Sequence, residues 1–324
     1  MPSRLVVGVD IGGTKLAGGL VDDQLQIHKR VQRSTRGKDT PALLNTIVDA
    51  VQELINGAPR EVTAVGFGIP SLIDRRTGTS LLAVNLSLAG VRFGTLMAEH
   101  LEVPVFVDND GNLAALAEHR GGIGVGSQNM LFIGLGTGIS GGIIIDGKLY
   151  RGTIGAGAEP GHMVIDMNGP RCQGNCPNYG CFESLASGTA LAREARAIAA
   201  AHPGSRLERA LSQGREIAGP LVTELAYDGD AVALSVLELI GVRVGVALSS
   251  LANIFNPEII VLGGGVMAAG EMVLAPARAE MLRRALPPAQ AVKVVAAHFG
   301  PEAGVVGAAA LAFEGLAGHP RALP

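Results

Sequence analysis

The sequence predicts an α/β protein with two domains, and three observations support this prediction. The chain has 324 residues, 48% of them hydrophobic, and single cores stop growing near ~250 to 300 residues. Apolar runs of strand length alternate with segments of helical periodicity. A weak internal repeat is also present, in which an apolar strand, a turn of glycine and threonine, and a second strand follow one another.

The repeated unit is predicted as a hairpin. Residues 5–9 have the composition of a buried strand, residues 12–14 of a tight turn, and residues 16–21 of a returning strand. Residues 130–145, MLFIGLGTGISGGIII, resemble this opening stretch, LVVGVDIGGTKLAGGL. The likeness predicts a second strand, glycine turn and strand later in the chain.

The remaining elements are predicted from periodicity and cap residues. A helix is expected with Thr40 as its cap, Pro41 at its first position and an end at Asn56. A glycine-rich stretch at residues 121–124 suggests a domain boundary. Further strands are expected at residues 62–69, 103–107 and 259–262, and further helices at residues 111–119, 231–254 and 303–313. We therefore expect a domain of residues 1–120, completed by a C-terminal helix in residues 303–324, and a larger domain of residues 121–302 with a zinc-binding loop.

Composition excludes several classes of protein. Lys and Arg number 26 and Asp and Glu 29, giving a formal net charge of −3 without charged blocks, so no nucleic-acid partner is expected. The apolar run at residues 5–9 is too short for a signal-peptide core or a membrane span, so we expect a cytoplasmic protein with no membrane partner. All three cysteines fall within residues 172–181 and cannot form a disulfide framework.

Three glycine-rich turns are candidates for nucleotide binding. A carboxylate ends the first strand directly before glycines whose amides can approach phosphate, and such a carboxylate can hold Mg²⁺. The second turn has no equivalent aspartate, which suits one nucleotide between two domains. Any one of these turns alone could equally be a plain hairpin without a ligand. The sequence has no G-x-x-x-x-G-K-[ST] loop, which argues against a P-loop NTPase. The residues are Asp10, Gly12, Gly13, Thr14 and Lys15, then Gly136, Thr137 and Gly138, and finally Gly263, Gly264 and Gly265 as a surface for adenosine.

Asp108 and Asp110 follow a predicted strand and precede a helix. The carboxyl ends of strands in open α/β sheets are where ligands bind, and an acceptor hydroxyl in phosphoryl transfer needs a proton acceptor. Either aspartate meets this requirement, and Asp108 or Asn109 is equally suited to capping the helix.

His162, Cys172, Cys176 and Cys181 supply one imidazole and three thiolates, the ligands of a closed tetrahedral zinc site. The alternative is three buried free cysteines with a hydrogen-bonded histidine. With four protein ligands the zinc would have no open position for water, so it is expected to be structural and to orient His162.

Six motifs in this order resemble the ROK family (repressors, open reading frames and sugar kinases) of the actin-like ATPase superfamily. They are DIGGTK at residues 10–15, VDNDGN at 107–112, GLGTG at 134–138, EPGH at 159–162, GCFE at 180–183 and NPEIIVLGGG at 256–265. The resemblance covers nearly the whole chain. It implies two actin-like ATPase (ribonuclease H-like) domains with an active-site cleft between them, and a homo-oligomer, commonly a dimer or tetramer.

The resemblance also implies a function, the ATP-dependent phosphorylation of a hexose hydroxyl. It makes Asp110 the catalytic base and assigns Mg-ATP to Asp10 and the glycine turns. The residues that it implies in sugar contact are Asn85, Asn109, Glu159, His162 and Glu183. Glucose is the expected substrate and glucose 6-phosphate the product, with N-acetylglucosamine, N-acetylmannosamine and fructose as alternatives.

Two departures from the family pattern concern the zinc and the sugar. The family commonly separates its first two cysteines by one residue, whereas Cys172 and Cys176 enclose three, which puts the role of Cys172 in question. Ser71 stands where glycine is frequent, and Asn-Leu-Ser-Leu at residues 85–88 stands for Asn-Leu-Pro-Gly. These last changes weaken the assignment of the sugar.

Two rival functions belong to other classes. Repressors of this family carry an N-terminal helix-turn-helix, and because only nine residues precede Asp10 we expect no DNA-binding domain here. A chaperone-like or filament-forming ATPase is the other rival, and the sugar-contact set around Glu159 and His162 argues against it.

Overall fold

The computed structural model describes residues 4–74, 77–83 and 86–318. The strands are β1 Leu5–Ile11, β2 Lys15–Asp22, β3 Ile27–Ser34, β4 Val62–Ile69, β5 Ser71–Asp74, β6 Thr79–Ala83, β7 Val105–Asn109, β8 Met130–Leu135, β9 Ile139–Ile145, β10 Lys148–Tyr150, β11 Ile259–Gly263 and β12 Lys293–Ala296. The helices are α1 Thr40–Asn56, α2 Phe93–Leu101, α3 Asp110–Gly121, α4 Phe182–Ala186, α5 Gly188–Ala201, α6 Arg206–Ser212, α7 Gly219–Tyr227, α8 Ala231–Phe255, α9 Glu271–Arg284 and α10 Ala303–Leu316.

Contacts divide the chain into two units. Unit 1 holds residues 1–128, 142–158 and 298–324, and unit 2 holds residues 129–141 and 159–297. Both contain strands and helices, so the predicted α/β class is confirmed. The division of the chain at residue 120 stays a prediction.

Two five-stranded sheets have the same topology. The first has the order β3-β2-β1-β4-β7 and the second the order β10-β9-β8-β11-β12. In the first sheet, the central strand β1 pairs antiparallel with β2 and parallel with β4. In the second, the central strand β8 lies beside β9 and pairs parallel with β11. The predicted hairpins of the internal repeat are therefore present, as β1–β2 and β8–β9. A third, small sheet pairs β5 with β6.

Unit 1 is built around a helix whose backbone lies very close to the sheet. The strands β1 and β4 bury apolar side chains on both faces, as expected for strands covered on two sides. A Cβ on Gly66 of β4 would lie 1.8 Å from the backbone oxygen of Ala308 in α10. Only glycine permits this approach, so α10 packs directly on β4 in unit 1.

Two predicted boundaries were wrong by one or two residues. The cap of α1 is Asp39 rather than Thr40, because the Asp39 carboxylate accepts the Ala42 amide at 3.0 Å while Thr40 is already helical. The strand predicted at residues 103–107 begins after Pro104, which has no N–H to donate to a sheet, and runs on to Asn109.

Helix α8 is the core helix of unit 2. Within the described residues it is the one helix long and apolar enough to cross a membrane, and half of its most apolar window is buried in the protein. A Cβ on Gly241 would lie 2.5 Å from Cγ of Pro276 in α9. Such close helix packing explains its apolar composition without a membrane.

Candidate active site and metal centre

The first predicted phosphate turn is a braced β-hairpin. The Gly12 amide donates to the Lys15 carbonyl at 2.8 Å, closing the turn between β1 and β2. Thr35, directly after β3, donates its hydroxyl to the Gly12 carbonyl at 2.7 Å and its amide to the Thr14 carbonyl at 3.1 Å. Because β3 fixes the turn, its backbone is held in one arrangement before any ligand binds.

Asp10 lies at the start of this turn and faces the beginning of α10. A Cβ on Gly304 would lie 2.4 Å from the Asp10 carboxyl carbon, so a side chain at that position is excluded. Burial, together with the nearby charge of Asp110, raises the pKa of Asp10 to about 6, while Lys15 acts in the opposite direction. The Asp10 carboxylate is a hard oxygen ligand of the kind that Mg²⁺ prefers.

Asp108 forms a buried ion pair with Arg151. Its Oδ2 accepts from Nε of Arg151 at 2.5 Å, and the two side chains are only 4% and 8% exposed. Its Oδ1 accepts the Asn109 amide at 2.9 Å and the Asn112 side-chain amide at 2.8 Å. A carboxylate with this many partners is committed to holding the turn after β7.

Asn109 and Asp110 begin α3 and have different surroundings. The Asn109 side-chain oxygen accepts the amides of Gly111, at 2.8 Å, and Asn112, at 3.3 Å, which makes Asn109 the helix cap. Asp110 is the first residue of the helix, and burial raises the pKa of its carboxyl. No cation pairs with Asp110 among the residues that the structure describes. Of the two aspartates that the sequence left open, Asp110 is therefore the one available as a base.

The second predicted phosphate turn, in unit 2, rests on the ends of two helices. The Gly188 amide at the start of α5 donates to the Gly136 carbonyl at 2.7 Å, and Thr189 donates its hydroxyl to the Thr137 carbonyl at 2.9 Å. Glu183 of α4 accepts the Ile139 amide at 2.7 Å. A Cβ on Gly138 would lie 2.3 Å from Oε2 of Glu183. Glu183, a predicted sugar contact, thus touches the turn directly.

The third set of glycines follows β11. Gly264 has φ of +87°, and its added Cβ would lie 2.5 Å from the Leu135 carbonyl oxygen of β8. Gly265 begins a short 3-10 turn, and a Cβ there would meet nothing within 4 Å. The edge beside Gly265 is therefore open, as a surface for adenosine requires.

The four predicted metal ligands lie together in unit 2. Their ligand atoms are all within 4.8 Å of one another. Four ligands around one zinc, at ~2.3 Å for sulfur and ~2.0 to 2.1 Å for nitrogen, are separated by about 3.8 Å for two sulfurs and about 3.6 Å for sulfur and nitrogen. Cys176 and Cys181 have their sulfurs 3.8 Å apart, and Cys172 Sγ is 3.6 Å from His162 Nδ1. The donor set fits a tetrahedral zinc, and Cys172 is part of it.

The predicted sugar-contact residues of unit 2 adjoin this centre. His162 is exposed and ends a 3-10 turn that begins at Pro160, with its amide donating to the Glu159 carbonyl at 3.2 Å. Its Nδ1 faces Cys172, which leaves Nε2 for another partner. Cys172 Sγ also lies 3.9 Å from Oε1 of Glu183. Asn85 lies outside the described residues, so its predicted sugar contact remains a prediction.

Arg151, which directly follows β10, was not predicted from the sequence. Its ion pair with Asp108 joins residues 43 positions apart, and no local sequence pattern predicts such a pair. The signal that was present is Asp108, which directly follows the apolar residues 105–107 of β7, since a buried carboxylate requires a partner.

Comparison with known proteins places the chain in a family. Residues 6–314 match the ROK family. The chain is 38% identical over 321 residues to a glucokinase of Streptomyces coelicolor, covering 96% of this chain and 98% of that one. It is 37% identical over 313 residues to a glucokinase of Halalkalibacterium halodurans, covering 95% and 94%. Among solved structures, a ROK family glucokinase from Streptomyces griseus in complex with glucose and AMPPNP has a TM-score of 0.84 and 36% identity, covering 96% of this chain and all of that one.

The chain therefore belongs to the ROK family, with the two-domain actin-like ATPase fold. It is an ATP-dependent sugar kinase.

Proposed function

We propose that the protein transfers the γ-phosphoryl group of ATP to glucose, forming glucose 6-phosphate, with Asp110 as the general base. The observation that carries this proposal is the contrast at the start of α3. Asp108 is neutralised by Arg151, whereas Asp110 has a raised pKa and no paired cation among the described residues. The near full-length likeness to proteins named glucokinase supports glucose as the acceptor.

Asp110 is suited to taking the hydroxyl proton. A general base works best when its pKa lies near the operating pH, and burial raises the pKa of Asp110 towards that range. Its backbone is fixed by the cap that Asn109 forms, so the carboxylate has a defined position. Asn109, which also donates to the Ser71 carbonyl at 3.3 Å, is proposed to contact the sugar beside it.

The phosphates are proposed to bind at the glycine turns. Backbone amides at turns 12–15 and 136–138 offer donors that need no reorganisation during the reaction, and such donors stabilise the transferring group. Asp10 would hold the Mg²⁺ that accompanies ATP, which supplies positive charge against the phosphates. Gly263, Gly264 and Gly265 are proposed to hold the adenosine.

The sugar is proposed to contact Asn85, Glu159, His162 and Glu183 in addition to Asn109. The four-ligand cluster would hold a structural zinc, whose contribution is to fix the His162 ring so that Nε2 meets a sugar hydroxyl. Glu183 adjoins both Cys172 and the turn at Gly138, so the cysteine loop also positions that carboxylate.

The direct test is a coupled assay of ADP release with purified protein across a panel of sugars. We expect ATP consumption that depends on glucose, with kcat/KM for glucose above that for N-acetylglucosamine, N-acetylmannosamine and fructose. A higher kcat/KM for one of the other sugars would replace glucose as the substrate. Sugar-independent hydrolysis of ATP would contradict the kinase assignment.

We further propose that the enzyme works in the cytoplasm, as part of glycolysis, as a homo-oligomer and without a nucleic-acid partner. The net charge of −3 without basic blocks supports the last point. Light scattering after gel filtration measures the oligomeric state, and a DNA-binding assay at low salt tests the repressor alternative.

A further inference from the structure

We propose that Arg151 is a positioning residue for the base, which holds the turn between β7 and α3 through Asp108 so that Asp110 keeps its productive orientation. This inference rests on the proposed function, since it concerns the same aspartate. Arg151 belongs to none of the motifs identified in the sequence.

The anchor is a buried charge pair. The guanidinium donates from Nε to Asp108 Oδ2 at 2.5 Å and from Nη1 to the Leu149 carbonyl at 3.3 Å. Arg151 directly follows β10 and Asp108 lies in β7, so the pair joins two separate parts of unit 1. Because the guanidinium is planar and has two fixed partners, it fixes the orientation of the Asp108 carboxylate as well as neutralising its charge.

The effect of the pair reaches Asp110 through hydrogen bonds on either side of it. Asp108 Oδ1 accepts the Asn109 amide at 2.9 Å and the Asn112 side-chain amide at 2.8 Å. Asn109 in turn caps α3 by accepting the amides of Gly111 and Asn112. The residue before Asp110 and the second residue after it are therefore both tied to the carboxylate that Arg151 holds.

Without Arg151, the Asp108 carboxylate would be left buried and uncompensated. A buried charge that loses its partner recruits water or rotates towards solvent, and here either change pulls on Asn109 and Asn112. Because a displacement of about 1 Å near the reacting atoms costs roughly 100-fold in rate, a small shift of the turn is sufficient to affect turnover.

Arg151→Gln and the double variant Arg151→Gln with Asp108→Asn test the inference. We expect the single variant to lose about 10- to 100-fold in kcat, with KM for ATP within about threefold. The double variant should regain at least part of that loss, because an asparagine side chain at position 108 leaves no unpaired charge and can still accept the Asn109 amide. Arg206→Gln, which breaks the exposed pair with Asp228, is the matched control and should leave kcat unchanged.

Hydrogen exchange provides a readout that does not depend on activity. In Arg151→Gln, amides of residues 105–112 should exchange faster than in the wild type, and the double variant should restore part of their protection. Should Arg151→Gln fail to fold, Arg151→Lys is the second variant, because lysine keeps the positive charge but lacks the planar guanidinium. We expect it to show a smaller loss of kcat and a smaller increase in amide exchange.

Two outcomes would overturn the inference. One is a wild-type kcat in the folded single variant, with only its melting temperature lowered, since that is the behaviour of a purely structural pair. The other is unchanged exchange at residues 105–112. If the wild type itself phosphorylates no sugar, the proposed function fails, whereas the exchange measurement still decides the role of Arg151.

Discussion

Asp108 and Asp110 are two residues apart and have opposite electrostatic surroundings. One carboxylate is neutralised by a buried guanidinium, and the other starts a helix without a partner cation among the described residues. The residue pattern shows two aspartates after a strand and does not distinguish them, because the partner of Asp108 is 43 positions away. The choice of Asp110 from the sequence rests on the resemblance to the ROK family. The difference between a carboxylate paired with a buried cation and one without a paired cation among the described residues is a property of the folded chain.

The acidic limb of the pH profile follows from the raised pKa values. A base must be ionised to accept a proton, so kcat/KM for glucose should fall as the pH drops through the pKa of Asp110. Burial raises that pKa, and the pKa of Asp10 beside it is raised to about 6, so the limb should lie above the value of ~4 of an ordinary carboxyl. Because Asp10 and Asp110 interact, the pH at which kcat/KM falls reflects the titration of the two carboxyls together and not of Asp110 alone.

The raised pKa values also affect stability, which should fall with rising pH whereas activity should rise. Because the folded state holds the Asp10 proton more tightly than the unfolded chain, the free energy of unfolding should decrease as the pH rises from about 4 through the Asp10 pKa of about 6. The raised pKa of Asp110 acts in the same direction. Initial rates across pH, with circular dichroism to confirm folding at each point, measure both effects. A kcat/KM that stays constant down to pH of about 4 would contradict the assignment of a buried carboxyl base.

Metal content tests the four-ligand cluster. We expect about one zinc per chain by elemental analysis, and its loss in Cys181→Ala, because three ligands do not close a tetrahedral structural site. The variant should also bind glucose more weakly, since His162 is no longer oriented. Wild-type protein purified without chelators and containing no zinc would contradict this prediction.

At the scale of secondary structure, close backbone contacts decide where helices lie. A Cβ on Gly307 of α10 would lie 1.9 Å from the Leu113 carbonyl oxygen of α3, and backbone cannot move aside as a side chain does. Periodicity predicts that a helix exists at residues 303–313 and is correct about it. It does not reveal that glycines set the distance between α10 and its neighbours, because that information depends on distant segments.

Gly307→Ala should therefore destabilise unit 1. We expect a loss of about 1 to 3 kcal/mol in the free energy of unfolding, the usual range for overpacking a core. Gly219→Ala is the matched control, since a Cβ there meets nothing within 4 Å and the backbone is not left-handed. It should change stability by about 0.5 kcal/mol or less. Equal denaturation midpoints for the two variants would contradict the close contact.

Glycine also sets the geometry of the second phosphate turn. Gly138→Ala would place its Cβ 2.3 Å from Glu183 Oε2, displacing the carboxylate that accepts the Ile139 amide. Because Glu183 adjoins the turn and the cysteine loop, we expect KM for glucose and KM for ATP to rise together. Steady-state kinetics with each substrate varied in turn measures this, and unchanged values of both constants would contradict it.

For the whole molecule, the sequence predicts the repeated hairpins, the helices α1, α3, α8 and α10, and the metal cluster. These features are local, since each depends on residues close together in the chain. The edge strands β3, β10 and β12 and the helices between residues 182 and 227 were not predicted. Their short, partly polar or alanine-rich stretches gain stability from packing against neighbours rather than from periodicity.

The identical topology of the two sheets gives each half of the sequence a strand–turn–strand unit with a glycine turn. Only the first of the two turns is preceded by an aspartate at the end of its strand. Asp10, the predicted Mg²⁺ ligand, thus lies in unit 1 and the cysteine cluster in unit 2.

The most direct measurement of the central claim is the turnover of Asp110→Asn with glucose and ATP. We predict a loss of at least roughly 10²- to 10⁴-fold in kcat, the effect of removing a general base. The unfolding transition should persist, because asparagine at the first position of α3 leaves the Asn109 cap in place. A folded Asp110→Asn enzyme that phosphorylates glucose at the wild-type rate would contradict the account.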